Sequence, residues 1–184
     1  MTRKAKITVT VLLIIAVSIA IGFIYDAIMN AFESKEYPKK HELIVAAASK
    51  KYGVPEEIIY AVIKTESDFD KGAESDAGAC GLMQLMPETF TDMTGIRNPS
   101  KTVMKDASSN INAGTKYLAY LYERYENWNT AFAAYNAGLG NVDKWLDDAR
   151  YSSDGITLDD IPFTETRNYV RRVNTALDAY KRLY

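Results

Sequence analysis

Val54-Pro55-Glu56-Glu57-Ile58-Ile59-Tyr60-Ala61-Val62-Ile63-Lys64-Thr65-Glu66 opens with a proline suited to a first helical turn and then repeats apolar side chains at helical spacing. Val62 and Ile63 stand four and three residues before Glu66, and Ile59 stands seven before it. These are same-face intervals of an α-helix, so the spacing predicts a carboxyl that projects from an apolar stripe. Poor solvation there disfavours the charged form and raises the pKa. A carboxyl kept protonated near neutral pH is what a general acid requires. Taken alone, the segment equally admits a glutamate at a frayed helix end that points to water.

Working outward, Lys39 to Tyr52 has an amphipathic helical pattern stopped by Gly53. From Ser67 to Gly81 the helical period disappears and small or polar residues dominate, which predicts a loop or short hairpin. Pro87 to Met93 reads as a short helix ended by Gly95, and a long helix follows the Asn98-Pro99 turn, from about Ser108 to Glu126. Ile111, Leu118, Leu121, Tyr122 and Tyr125 share one side of it. Asn129 is placed to cap a helix that runs through Phe132 to the Asn136-Ala137-Gly138 break, and a further short helix spans roughly Asn141 to Asp147. Thr164 caps a last helix with Tyr169, Val170, Val173, Ala176, Leu177 and Tyr180 spaced for burial. The expected fold is mostly α, compact, with at most a small β element near residues 68–84.

The N-terminus differs in kind. Residues 1–6 are basic, and Ile7 to Tyr25 runs without a charge until Asp26. At about 1.5 Å per residue this run approaches the roughly 30 Å of a bilayer core. It exceeds the roughly 7–15 apolar residues of a signal peptide. Small residues such as Ala16, Ser18 and Ala20 would suit a signal peptidase, but they lie inside the apolar run. The reading adopted is a single uncleaved membrane anchor over residues 7–25, a polar stalk over 26–38 and a domain over 39–184. Arg3, Lys4 and Lys6 before the span, against Asp26, Glu33 and Glu36 after it, place residues 1–6 in the cytoplasm and the domain outside the cell membrane.

Composition removes several function classes. The formal net charge of −2 includes Arg3, Lys4 and Lys6; without these three cations the remainder carries −5, which is no nucleic-acid footprint. One histidine, His41, and no ligand pair at metal spacing argue against a metal centre, and no cofactor motif is present. Cys80 is the only cysteine, so no internal disulfide forms, and it reads as a small, partly buried thiol.

The unusual residues cluster in five segments. They are Glu66-Ser67-Asp68-Phe69-Asp70, Ser75 to Thr89 with its Gly81-Leu82-Met83-Gln84-Leu85-Met86-Pro87 core, Asn110 to Leu118, Ala131 to Gly140 with Ala134-Tyr135-Asn136-Ala137-Gly138, and Ile161 to Val170. In this order they resemble the soluble-lytic-transglycosylase domain, a relative of goose-type lysozyme, over residues of about 40–184. The resemblance implies a lysozyme-like fold that cleaves the β-1,4 bond between N-acetylmuramic acid and N-acetylglucosamine in peptidoglycan strands. It also implies a domain that faces the cell wall, with Glu66 as the single acid/base. No motif supplies an obvious second carboxylate, as two-carboxylate glycosidases require. Asp68, Asp70, Glu74 and Asp76 are the acids nearest Glu66 in sequence, and a hydrolytic, lysozyme-type mechanism would need one of them. A glycan-binding module without catalysis is the remaining reading, and no protein partner is indicated.

For the other segments the resemblance puts Ser75, Met83 and Gln84 at the cleft, where Ser75 and Gln84 would bond sugar N-acetyl groups. Their alternative is stabilisation of the loop backbone. Tyr135 and Asn136 precede a helix break, where side chains reach a cleft, and the resemblance places Tyr135 and Tyr169 beside Glu66. Tyr169 reads equally as core. Glu165 either binds glycan or complements the helix dipole. Tyr117, Tyr120, Tyr122 and Tyr125 are read mostly as helix packing.

Overall fold

A computed structural model describes residues 2–184 and divides the chain into two compact units, one ending at Pro38 and one running from Lys39 to Arg182. The first unit is a single helix, α1 (Arg3–Glu36). Its large apolar side chains from Leu12 onward are exposed, Phe23 and Phe32 most of all. The stretch Leu12–Glu36 is long and apolar enough to cross a membrane, a property that signal sequences share. Residues 26–36, read from the sequence as a stalk, continue α1 without a break. They contain neither glycine nor proline, so nothing in them stops a helix before Pro38.

The second unit contains the other helices: α2 (Glu42–Tyr52), α3 (Glu56–Ser67), α4 (Pro87–Thr94), α5 (Lys101–Met104), α6 (Ala107–Tyr125), α7 (Trp128–Ala137), α8 (Leu139–Leu146) and α9 (Thr164–Leu183). Among the described residues there is no sheet. The anticipated β element is reduced to two isolated bridges, Glu74 with Cys80 and Cys80 with Leu85. Every residue of α3 from Ile58 to Ile63 is buried, so α3 is covered on all sides and not on one stripe alone. α2 packs against α3, and the Tyr60 ring stacks on Tyr180 of α9 at 5.3 Å; Tyr169, Val170, Val173, Ala176, Leu177 and Tyr180 of α9 are all buried, as their spacing predicted.

Several boundaries move from their expected places for local reasons. Asn127, not Asn129, caps α7, accepting the Thr130 amide at 3.1 Å. Asn129 lies inside that first turn, where its Oδ1 accepts Asn174 Nδ2 of α9 at 2.8 Å. Gly138, at φ 84°, is shared by the end of α7 and the start of α8, so α8 begins two residues earlier than the pattern suggests. Phe163 precedes α9 as its cap residue and Thr164 is already helical. The short α5 has a polar start signal that the hydrophobic pattern does not carry: Ser100 Oγ accepts the Val103 amide at 3.4 Å. Tyr122 does not share the buried side of α6; it is exposed and stacks on Trp128 at 4.2 Å.

The loop between α3 and α4 is positioned by α6. Asn110, fully buried, accepts the Met83 amide at 2.7 Å through Oδ1 and donates through Nδ2 to the carbonyls of Cys80 at 2.9 Å and Met104 at 2.7 Å. Gly81 sits directly against it at φ 81°, where a Cβ would fall 2.5 Å from Asn110 Nδ2. Gly114 leaves room on α6 for Met83, whose Sδ would lie 2.4 Å from a Cβ at that position. Two small residues and one amide thus fix the loop closely against the long helix.

Candidate active site

Glu66 occupies the last turn of α3. Immediately after it the chain turns away through two consecutive left-handed residues, Asp68 at φ 50° and Phe69 at φ 63°. Such backbone is uncommon for residues other than glycine. Two contacts hold it: the buried Phe69 ring, and Lys64 Nζ, which donates to Asp68 Oδ1 at 2.8 Å. Ser67 Oγ donates to the Leu82 carbonyl at 2.8 Å, tying the end of α3 to the loop that Asn110 holds.

The carboxyl of Glu66 keeps a partly open mouth but is otherwise packed in protein, and burial pushes its pKa from 4.5 up to about 7. The Tyr169 hydroxyl and the positive charge of Arg172 pull the other way, and burial prevails. Tyr169 is 1% exposed and its hydroxyl makes no hydrogen bond of good geometry, so its O–H acts on Glu66 by proximity. Tyr135 Oη donates to the Met83 carbonyl at 2.7 Å. Burial first, and then the nearby Glu66 charge, hold both phenols well above the usual tyrosine range, so both stay neutral donors at any physiological pH.

The structure brings Glu66, Tyr135 and Tyr169 together and treats the remaining candidates differently. Met83 is fully buried: its side chain fills the space over Gly114, its amide and carbonyl serve Asn110 and Tyr135, and it presents no side-chain surface to a ligand. Gln84, at φ 45°, donates from Nε2 to the Gly81 carbonyl at 2.9 Å. Ser75 Oγ accepts the Ala79 amide at 3.0 Å. Both side chains therefore brace their own loop while remaining only partly buried. Asn136 Oδ1 accepts Thr166 Oγ1 at 2.8 Å, which joins the end of α7 to the first turn of α9. Glu165 is exposed in that same turn.

Asn110, Ser67 and Arg172 were not singled out by the sequence as contributors to the site. A buried amide inside a helix was the available signal for Asn110, whereas nothing local marks Arg172 as near Glu66. Concavities of about 490 Å³ beside Pro87 and Pro99 and about 530 Å³ beside Arg124 and Asp143 lie elsewhere, and neither is lined by Glu66.

Residues 43–156 match the transglycosylase SLT domain. The chain belongs to this family. The chain is 39% identical over 140 residues to the soluble lytic murein transglycosylase of Escherichia coli K12, and 40% identical over 131 residues to that of Salmonella typhimurium. These matches cover 71% and 66% of the chain but only 21% and 20% of the relatives, so the chain spans about a fifth of their length. Among solved structures, the 70 kDa soluble lytic transglycosylase of E. coli superposes with a TM-score of 0.68 at 32% identity, over 81% of this chain and 25% of that one. An inactive glutamate-to-glutamine mutant of lytic transglycosylase Slt from Pseudomonas aeruginosa gives 0.67 at 33%, over 79% and 24%. The SLT domain match ends before α9, so Glu165 and Tyr169 fall outside it.

The raised pKa has a consequence for stability. Between about 4.5 and 7 the folded chain holds a proton on Glu66 that the unfolded chain has released. Stability therefore falls as pH rises through that window, and the whole cost is in place above it. Glutamine carries no such cost. Glu66→Gln is expected to raise the urea midpoint at pH 8, at unchanged slope, with the advantage shrinking toward pH 4. An advantage independent of pH would show that the carboxyl is not perturbed.

Proposed function

We propose that this SLT-family chain is a membrane-anchored peptidoglycan lytic transglycosylase that cleaves between N-acetylmuramic acid and N-acetylglucosamine, with Glu66 as both acid and base. The observation that carries the reading is the placement of the Glu66 carboxyl beside Tyr135 and Tyr169, where burial pushes its pKa up to about 7. At that value the protonated and ionised forms are both populated near neutral pH, which suits one group to give a proton and then take one back. Protonated Glu66 donates to the glycosidic oxygen as its bond to the muramic acid C1 breaks, while the sugar's N-acetyl oxygen bonds to C1. The Glu66 carboxylate then takes the proton of the C6 hydroxyl as O6 attacks C1 and displaces the acetyl oxygen. The 1,6-anhydro ring closes, Glu66 is protonated again, and no water is consumed.

Local pairing of three of the four neighbouring acids supports a single carboxyl. Asp68 is engaged by Lys64, Asp70 Oδ1 accepts the Gly72 amide at 2.8 Å, and Glu74 is paired with Lys101 and Lys105. In the Pseudomonas relative one glutamate-to-glutamine change gives an inactive protein, which supports an essential glutamate. Tyr135 and Tyr169 would position Glu66 and the reacting sugar, and Ser75, Gln84, Asn136 and Glu165 would contact the glycan. Met83 would contribute through its backbone, setting the Tyr135 hydroxyl. Residues 7–25 would form the anchor, with the domain outside the cytoplasmic membrane against the wall.

Digestion of purified peptidoglycan followed by mass spectrometry tests the chemistry. The expected muropeptides are one water lighter than hydrolytic products and lack a reducing end on muramic acid. Glu66→Gln is expected to lower the rate by about 10²-fold or more with the fold retained. Hydrated, reducing products would contradict the proposal and turn attention to the four neighbouring acids.

Anchoring is tested separately. After an alkaline wash of membranes, the chain is expected to remain in the pellet with its N-terminus intact and residues 39–184 open to protease from outside. A shortened, freely released form would show that the apolar helix is a cleaved signal sequence.

A further inference from the structure

An aromatic row leads from the Glu66 region to the surface. Tyr135, whose phenol lies in the field of Glu66, meets the Tyr117 ring at 5.3 Å and an interplanar angle of 44°. Tyr117 in turn stacks on Tyr120 at 6.4 Å and 16°, the two being one helical turn apart on α6. Helix packing explains Tyr117, which is half-buried and whose pKa is raised mainly by burial. It does not explain Tyr120, which keeps 42% of its surface exposed. Tyr122 is nearly as exposed and differs in its ring partner, Trp128, which stacks on it at 4.2 Å where Tyr117 stands 6.4 Å from Tyr120.

We propose that Tyr120, backed by Tyr117, is a stacking platform for a further pyranose ring of the glycan strand, outside the two sugars that flank the bond at Glu66. The C–H face of a pyranose packs on an aromatic face whose electron density is negative, an interaction that needs exposed ring and little polar contact. Tyr117 holds the platform in register with Tyr135, so the row is continuous with the proposed cleft. Asp92, exposed on α4 and close enough for its charge to act on Tyr117, borders the platform with an acceptor for sugar hydroxyls. The platform would make the enzyme prefer strands longer than a disaccharide. This inference rests on the glycan reading of the site.

The test uses the full chain in detergent, carrying Glu66→Gln to prevent turnover, and titrates it with a β-1,4-linked N-acetylglucosamine disaccharide and hexasaccharide. With Tyr120 intact, the hexasaccharide is expected to bind more tightly. Tyr120→Ala is expected to weaken hexasaccharide binding roughly two- to tenfold and leave the disaccharide unchanged. Tyr120→Phe, which keeps the ring face, is expected to retain the wild-type preference. Unchanged hexasaccharide binding in Tyr120→Ala, or an equal loss for both sugars, overturns the platform and leaves the function reading intact. Absence of binding to either sugar and to purified peptidoglycan strands with Tyr120 in place overturns the glycan reading itself.

Discussion

Three hydrogen bonds from one buried amide hold the site together. Asn110 closes them onto the Met83 amide and the Cys80 carbonyl, in a loop that has only isolated bridges and no ladder of its own, and onto the Met104 carbonyl at the end of α5. Each is a backbone group buried out of reach of water, and leaving one unpaired costs about 1–3 kcal/mol. The arrangement dictates its neighbours. A side chain at Gly81 would strike the amide, and a side chain at Gly114 would displace Met83. The Met83 carbonyl, fixed in this way, sets the Tyr135 hydroxyl, and Ser67 joins the same loop to the end of α3. The position of Glu66 relative to Tyr135 is thus inherited in part from α6.

Within that frame two tendencies oppose each other at Glu66. Burial favours the neutral acid, while the Tyr169 hydroxyl and Arg172 favour the carboxylate. Their balance near neutral pH is what the proposed dual role would use, one group serving in both directions where two carboxylates with separated pKa values do elsewhere. The cost is borne by the fold, since a poorly solvated carboxyl destabilises the native state whenever it is ionised. Covering α3 on every side from Ile58 to Ile63 gives the helix enough apolar burial to carry that cost at its end.

Much of this was legible in the sequence because it depends on periodicity. The apolar spacing in 54–66 and 164–180 correctly marked α3 and α9 as core helices, and the order of the five segments correctly indicated the family. What escaped the pattern depends on polar groups acting across the fold. Asn127 in place of Asn129 as a cap and the start of α5 at Ser100 are hydrogen-bond choices that hydrophobic spacing does not encode, and for Ser75 and Gln84 the sequence left loop bracing and glycan contact both open. Asn110 stood in a segment already recognised, yet its partners lie 6 to 30 residues away. Met83 was placed at the cleft by resemblance alone; that its side chain turns inward follows from the space Gly114 opens for it, which only the packed helix reveals. Arg172 influences Glu66 from another helix altogether.

The account turns on the protonation of Glu66, which carbon-13 NMR observes directly. The full chain, labelled at glutamate side-chain carboxyls, is titrated in detergent, and the Glu66 signal is assigned by its loss in Glu66→Gln. A midpoint near 7, well apart from the other glutamates, is the predicted result. A midpoint near 4.5 would contradict the account, because the carboxyl would then be ionised at neutral pH and unable to donate the first proton.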